Sequence, residues 1–197
     1  MTNTGNVLHW YDFLCPFCYV GQSRTEILAR HGLNVIELPF QAHPDIPVGG
    51  AAAGPRIGPM YTFIEREAIE AGLELNWPDR LPNTRRALAA AEWVRLHQPE
   101  KFASFRKRLF AAHFTLGEDL GSDLVIFRHA GDLGIDLLAL QPALASGSAI
   151  RLVDEAEELG RRYRVNGTPA WLVAGELVSG LLPAQEFERL AEVTAHR

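Results

Sequence analysis

Cys-Pro-Phe-Cys, at positions 15–18, lies between a short apolar segment that predicts a strand (residues 7–14) and an amphipathic segment that predicts a helix (residues 17–30). The chain of 197 residues has no other cysteines. Thiols spaced i and i+3 in the first turn of a helix share one face, close enough to form a disulfide with little backbone movement. The pair can therefore exist as a dithiol or as a disulfide.

The start of a helix favours a reactive thiolate at Cys15. Backbone N–H groups there lack partners and the helix dipole is positive, so we expect the pKa of the Cys15 thiol to fall below its free value. Pro16 suits the first helical position, because its φ is preset and it has no N–H to leave unpaired. We expect Cys18, one turn later, to be more buried and to act as the resolving thiol.

The sequence gives less support to three other roles for the cysteine pair. A structural disulfide that closes a four-residue loop contributes only ~2 kcal/mol, against about 4.7 kcal/mol for a loop of 100 residues. A zinc site needs two more ligands, and the sequence has neither a second cysteine pair nor suitably spaced histidines beside this one. Two incidental buried cysteines would not need this spacing.

Composition indicates an ordinary globular protein. The chain has 47% hydrophobic residues, a net charge of -5 and a pI near 5.8, which argues against nucleic acid as a partner. We interpret the basic cluster Lys101, Arg106, Lys107 and Arg108 as a solvated helix face. The sequence shows no export signal and no apolar run of membrane-spanning length, so we expect a soluble cytoplasmic protein with no membrane partner. In a reducing cytosol a cysteine pair is more often catalytic than structural.

Hydrophobic periodicity predicts the order of the elements. Strands at 7–11 and 34–40 flank the cysteine-bearing helix, which gives a βαβ unit with the cysteines at the carboxyl end of its first strand. A long Pro- and Gly-rich loop follows at 41–59, either a linker into an insertion or a mobile wall of the site. Residues 57–148 are mostly helical, and a helix at 149–163, a hairpin at 170–179 and a final helix at 184–195 complete the chain.

This order resembles the thioredoxin fold, with its Cys-Pro-x-Cys at a helix start and a Thr-Pro turn before a ββα unit. The helical insertion resembles the DsbA-like branch. Within that branch the chain resembles the FrnE-type oxidoreductases, relatives of the 2-hydroxychromene-2-carboxylate isomerases and kappa-class glutathione transferases. The segments that carry this resemblance are Asp12 to Gly21, Asn83-Thr84-Arg85-Arg86-Ala87, Gly167-Thr168-Pro169 and Val178-Ser179-Gly180. The resemblance implies an α/β thioredoxin-fold domain at 1–56 and 149–197 with an inserted all-helical domain at 57–148.

The resemblance also implies site residues. Pro169 matches the cis-proline of the family, and the backbone of Thr168 would pair with an extended substrate and present its disulfide to Cys15. His9 lies where related enzymes often keep a buried carboxylate; a neutral imidazole could accept the Cys18 proton, or His9 could be an ordinary core histidine. Asp12 matches the family motif and is interpreted first as a residue that leads the chain into the helix.

Two departures refine the predicted activity. Phe17 replaces the histidine of strongly oxidising DsbA proteins, so we expect Cys15 to be less acidic and the pair less oxidising. The isomerases and kappa transferases have serine at the position of Cys15 and usually Asp-Arg after the last strand, where this chain has Leu181 and Leu182 next to Gly180.

The predicted function is therefore a thiol-disulfide oxidoreductase acting on a protein or small-molecule thiol or disulfide. No metal or organic cofactor is implied, although glutathione could serve as redox partner. The alternative is a glutathione-dependent isomerase or transferase that acts on a small aromatic compound, and a redox-silent binding or chaperone module is a third hypothesis. The oligomeric state stays open, with a homodimer as the candidate because related proteins are often dimers.

Overall fold

The computed structural model describes residues 6–195. The elements follow one another in this order: β1 (Asn6–Tyr11), α1 (Pro16–Val20), α2 (Gln22–Arg30), β2 (Asn34–Pro39), β3 (Ala51–Ala52), α3 (Pro59–Glu70), β4 (Arg80–Leu81), α4 (Arg85–His97), α5 (Pro99–Phe114), α6 (Asp123–Asp132), α7 (Leu137–Ala145), α8 (Ser148–Arg162), β5 (Ala170–Val173), β6 (Glu176–Ser179) and α9 (Ala184–Ala195). None of the helices within 6–195 is long and apolar enough to cross a lipid bilayer.

The central sheet has four strands in the order β2-β1-β5-β6. β1 is parallel to β2 and antiparallel to β5, and β5 turns into β6 through a tight hairpin. The two turn residues, Ala174 and Gly175, both have positive φ, at 51° and 88°, as the hairpin turn that matches strand twist requires. The sequence predicted these four strands and the hairpin, but not their order in the sheet.

The cysteine-bearing helix is divided in two. The sequence predicted one helix over 17–30, but α1 ends at Val20 and α2 begins at Gln22, with Gly21 between them at φ -73° and ψ -4°. A Cβ at Gly21 would lie 2.6 Å from the Phe17 carbonyl oxygen and 3.1 Å from the side chain of Leu181, in the loop after β6. Glycine therefore lets this loop approach the helix closely, at the point where the helix is interrupted.

The loop after β2 is fastened to the helical segment. Ala51 and Ala52 pair antiparallel with Leu81 and Arg80, a short ribbon that the sequence analysis did not predict. Elsewhere residues 57–148 are mostly helical, as predicted, and α7 is a helix for which the sequence analysis gave no separate prediction. Its N-cap is Asp136, whose side chain accepts a hydrogen bond from the Ala139 N–H.

α8 contacts both layers of the molecule. Ala149 and Val153 belong to the large apolar core of the helical segment, whereas Ala156 packs with Trp10 of the sheet. The Trp10 indole Nε1 donates to the Ala156 carbonyl at 3.1 Å. At Gly160 an added Cβ would lie 3.0 Å from Nε1 of Trp10, so a larger residue would force the indole to shift.

The interpretation of the basic cluster on α5 is wrong for Arg106. This side chain is only 4% exposed, and its Nη2 lies 3.0 Å from Oε1 of Glu37 on β2. Lys107, by contrast, is more than half exposed. Arg106 is buried because the sheet supplies a buried carboxylate beneath α5, a partner that the helix sequence alone does not reveal.

Candidate active site

Cys15 lies directly after β1, at the N-cap of α1, with extended backbone angles of φ -78° and ψ 112°. Its N–H donates to the Asp12 carbonyl at 3.1 Å, and its own carbonyl accepts from the N–H groups of Cys18 and Tyr19. Pro16 is the first helical residue, as predicted. The chain thus turns sharply out of the sheet and presents Cys15 at the carboxyl end of β1.

The two cysteines differ in exposure and in acidity. Both are free thiols; Cys15 is partly exposed, whereas Cys18 is only 1% exposed. Burial by itself raises the pKa of the Cys15 thiol, but hydrogen bonds from Cys18 and Thr168 outweigh it, so that pKa lies below its ordinary value. Burial, together with the hydrogen bond and charge at Cys15, raises the pKa of Cys18 well above its ordinary value. The lowered pKa of Cys15 and the deeper burial of Cys18 match the sequence prediction, and the roles of attacking and resolving thiol stay predictions.

The loop that contains Thr168 lies against the nucleophile. The Thr168–Pro169 peptide bond is cis, which confirms the predicted conformation of Pro169. The Cys15 thiol donates to the Thr168 carbonyl at 3.2 Å. The Thr168 hydroxyl is buried and has no partner in good hydrogen-bond geometry within the described part of the chain, although it acts on the pKa of both thiols. The Pro169 carbonyl accepts from the Gly180 N–H at 2.8 Å, which fixes the loop to the end of β6.

His9 lies in the core, on the middle of β1. Its Nδ1 is 3.3 Å both from Oε1 of Glu37 and from Oγ1 of Thr25, and its ring stacks on Trp171 with centroids 4.5 Å apart. Burial lowers the pKa of the imidazole. Among residues 6–195 none of its hydrogen bonds reaches a cysteine, so these contacts match the core-histidine alternative. A role of His9 in accepting the Cys18 proton stays a prediction.

Glu37 contacts both His9 and the buried guanidinium of Arg106 on α5. Besides its contact with His9, it pairs with Arg106, whose guanidinium carbon lies 5.6 Å from the ring centroids of both Tyr11 and Phe110. Burial raises the pKa of Glu37, but the charge of Arg106 and the hydrogen bond of His9 outweigh this, and the pKa lies below its ordinary value. The sequence analysis missed this cluster, because its members come from three distant elements.

Asp12 brings together two segments on which the family resemblance rested. Its carboxylate is fully buried and accepts hydrogen bonds from the Leu14 N–H at 3.2 Å, the Ala42 N–H at 2.8 Å and the Thr84 hydroxyl at 2.6 Å. Asp12 therefore does more than lead the chain into α1, since it also holds the start of α4. The matched motifs at 12–21 and 83–87 were the signal available in the sequence, but their contact was not predicted.

The rim of the site beside Cys15 is apolar. Phe17, Phe63 and Leu181 pack on the same core as Cys15, and the rings of Phe17 and Phe63 lie 6.3 Å apart. The Arg66 guanidinium lies over the Phe63 ring at 5.3 Å. Within residues 6–195, no group of three or more His, Cys, Asp or Glu side chains is arranged to hold a metal ion.

A buried ion pair fixes the helix that carries Phe63. Arg24 on α2 contacts Glu67 on α3 at 2.5 Å, and both side chains are less than a tenth exposed. The Arg24 Nε also donates to the Leu182 carbonyl at 3.1 Å, so the loop after β6 is held by the same guanidinium.

Comparison with known proteins identifies relatives of this arrangement. Residues 6–193 match the profile of the DSBA-like thioredoxin domain. The uncharacterized protein YwbO of Bacillus subtilis (strain 168) is 22% identical over 199 residues, which covers 94% of this chain and 95% of YwbO.

Solved structures show the same fold. A probable DsbA oxidoreductase from Streptomyces coelicolor superposes with a TM-score of 0.85 at 19% identity, over 98% of this chain and 90% of that one. A 2-hydroxychromene-2-carboxylate isomerase gives a TM-score of 0.76 at 22% identity, over 97% and 95% of the two chains. The cytosolic disulfide reductase DsbM from Pseudomonas aeruginosa, solved with GSH, gives 0.65 at 17% identity, over 97% and 96%. These matches and the profile confirm the predicted α/β fold of DsbA-like thioredoxin type with a large helical insertion.

Proposed function

This chain belongs to the family of DsbA-like thioredoxin domains, and we propose that it is a dithiol-disulfide oxidoreductase in which Cys15 attacks and Cys18 resolves. The observation that carries the proposal is the asymmetry of the pair. Cys15 is partly exposed, has a lowered pKa and touches the Thr168 carbonyl, whereas Cys18 is buried with a raised pKa. An exposed thiolate attacks first, and a buried thiol reacts only with the sulfur next to it.

The proposed reaction is two successive thiol-disulfide exchanges. The Cys15 thiolate attacks one sulfur of a substrate disulfide, forms a mixed disulfide and releases the first substrate thiolate. Cys18 then loses its proton to that thiolate or to solvent and attacks the Cys15 sulfur. The second substrate thiolate leaves, and the protein is left with the Cys15–Cys18 disulfide. Two electrons pass from the protein to the substrate, and the reverse sequence oxidises a substrate dithiol.

The substrate we propose is a protein or small-molecule disulfide that lies between the Thr168–Pro169 loop and the apolar rim. In this position the main chain of Thr168 would hold an extended substrate, and Phe17 and Phe63 would contact apolar groups beside its sulfur atoms. A cytoplasmic location and recycling by glutathione are part of the proposal; a cytosolic relative from Pseudomonas aeruginosa was solved with GSH, which makes glutathione the partner to test.

The alternative, a glutathione-dependent isomerase or transferase for a small aromatic compound, is favoured by the structural match to 2-hydroxychromene-2-carboxylate isomerase. Two features weigh against it. Position 15 carries a cysteine with a resolving partner rather than a serine. After β6, Leu181 packs into the core and the Leu182 carbonyl is bonded to Arg24, so this loop offers no Asp-Arg pair to a peptide ligand.

The test is the redox equilibrium of the pair against mixtures of reduced and oxidised glutathione, followed by mass. We expect a stable Cys15–Cys18 disulfide with a potential nearer to the value of about -270 mV for thioredoxin than to that of about -120 mV for DsbA. Cys18→Ser should accumulate a mixed disulfide at Cys15, and Cys15→Ser should not. The proposal fails if no intramolecular disulfide forms at any ratio; glutathione binding by calorimetry would then test the isomerase or transferase.

A further inference from the structure

Partly exposed apolar side chains lead from Cys15 to α3. Phe17, in the first turn of α1, is partly exposed, and so is Phe63 on α3, whose ring centroid lies 6.3 Å from that of Phe17. Met60, one turn before Phe63, is 45% exposed. Exposed apolar side chains beside a reactive group are a typical place for the apolar part of a substrate to bind.

Arg66 lies at the far end of this apolar surface. Its guanidinium carbon is 5.3 Å from the ring centroid of Phe63, and its side chain is 62% exposed. It is the only lysine or arginine of α3. The order of groups outward from the nucleophile is therefore thiol, two aromatic rings and a cation.

The glutamates of α3 leave the charge of Arg66 available to a ligand. Glu67 is buried in its ion pair with α2, and Glu65 accepts a hydrogen bond from the Trp77 indole at 2.8 Å. Glu70 is the partner of Arg66 within the helix, but the two groups are 3.7 Å apart and both are mostly exposed. An exposed pair of this kind is weak, so a substrate carboxylate can replace Glu70.

We propose that Arg66 selects the substrate, a disulfide that has an apolar body and a carboxylate on the side of that body away from its sulfur atoms. The inference rests on the proposed function and names its substrate class. The apolar body lies on Phe17 and Phe63, and the carboxylate binds the Arg66 guanidinium, whose charge and N–H donors both suit it.

Binding in this position presents one substrate sulfur to Cys15. The Cys15 thiolate forms a bond to that sulfur, the substrate S–S bond breaks, and the other half of the substrate leaves as a thiolate. Arg66 does not touch the reacting atoms, so its effect is on which disulfide reacts and not on the exchange itself.

Two aromatic disulfides test the proposal with the protein in its dithiol form. Dithiobis(nitrobenzoate) carries a carboxylate on each ring, whereas dithiodipyridine is uncharged at neutral pH. Each releases a product that absorbs light, so stopped-flow absorbance gives the rate of the first attack by Cys15. Because the two probes differ in intrinsic reactivity, each variant is compared with wild type on the same probe.

Three variants of α3 change the charge in opposite directions. Arg66→Met removes the cation and keeps an apolar side chain on Phe63, so we expect the anionic probe to react about threefold to fivefold more slowly at low salt, and the neutral probe to react as before. High salt should remove the difference. Glu70→Gln frees the guanidinium and should speed the anionic probe alone, about twofold. Arg66→Lys should restore most of the wild-type rate.

Arg30→Met is the matched control. Arg30 is 68% exposed and pairs with Glu188, and it ends α2 at the end of that helix farther from Cys15. This variant removes the same charge from another part of the surface, so it should leave both rates unchanged.

The outcomes separate this proposal from the proposed function. Equal slowing of both probes in Arg66→Met, equal effects of Arg66→Met and Arg30→Met, or no recovery in Arg66→Lys would overturn the selection by charge. If Arg66→Met changes neither rate and the wild type still ends as the Cys15–Cys18 disulfide, the selection falls and the proposed function stands. If the wild type forms no such disulfide, the proposed function falls, while the two rates in Arg66→Met still decide whether Arg66 selects by charge.

Discussion

The Cys15 thiol and the Thr168 carbonyl are 3.2 Å apart, although 153 positions separate the two residues in the chain. Because of this contact, the Thr168 hydroxyl also lies in the site. That hydroxyl is buried without a fixed partner, and it lowers the pKa of both thiols. Because a hydroxyl rotates freely, it can donate to whichever sulfur carries the charge.

Replacing Thr168 with valine tests this donor. The change keeps the shape of the side chain but removes its hydrogen bond, and a hydrogen bond to a charged group contributes about 1.5 kcal/mol or more. We expect the pKa of Cys15 to rise and alkylation at neutral pH to slow about tenfold. Thr168→Ser is the control and should alkylate almost as wild type. Equal rates for valine and wild type would show that the hydroxyl does not act on Cys15.

Replacing Phe17 with histidine tests whether a cation at this position makes the cysteine pair more oxidising. Phe17 is the second residue of α1, one position from the Cys18 thiol and two from Cys15. A protonated imidazole there would stabilise the Cys15 thiolate, so we expect a lower Cys15 pKa and a more oxidising pair in glutathione mixtures. Phe17→Leu removes the ring without adding charge and should have little effect. A shift of the same size in the leucine variant would assign the change to packing against Phe63.

Replacing Arg106 with glutamine should destabilise the fold strongly. The change leaves Glu37 buried beside His9 without its cation, which typically costs about 3–5 kcal/mol. Lys107→Gln breaks the exposed pair with Glu26 and should cost less than about 1 kcal/mol. Urea unfolding of the two variants gives the comparison. If Arg106→Gln cost no more than Lys107→Gln, the Arg106–Glu37 pair would not contribute to stability.

Acid should destabilise the protein through His113. Burial lowers the pKa of this imidazole to about 4, whereas in the unfolded chain it lies near 6.5. Between these values the unfolded state binds a proton that the folded state does not, so the free energy of unfolding falls as the pH falls, by up to about 3 kcal/mol. The loss begins below about pH 6.5 and is complete near pH 4.

His113→Phe removes this titration and keeps a ring beside Phe114. Unfolding in urea across this pH range should show a shallower loss of stability for the variant, with a remaining slope from His9, whose pKa is also lowered by burial. Parallel pH profiles for wild type and variant would mean that His113 does not contribute to the acid sensitivity.

Local chemistry made much of this fold predictable from the sequence. Pro16 at the first position of α1 depends on a few neighbouring residues and was found where the sequence placed it. The hairpin turn was also predicted from local residues, although Ala174 and Gly175 form it, one residue earlier than predicted. The Thr168–Pro169 loop followed from a family resemblance, because no local rule brings it to Cys15.

The features that were missed depend on residues distant in sequence. The sequence predicts that Arg106 is a surface residue, because it does not show that Glu37 on β2 lies beneath it. It predicts a continuous helix through Gly21, because it does not show that Leu181 packs against this position. Two partners of Asp12, Ala42 and Thr84, come from distant segments, so these hydrogen bonds form only when the helical segment packs on the sheet.

α8 makes the sheet and the helical layer a single mechanical unit. Its first half packs in the core of the helical layer at Val153. Its second half packs on the sheet, where Ala156 contacts Trp10 and accepts its indole hydrogen bond. A rigid swing of the helical layer away from Cys15 would have to bend this helix or break that contact. The sheet and the helical layer should therefore move together, and not open about a hinge between them.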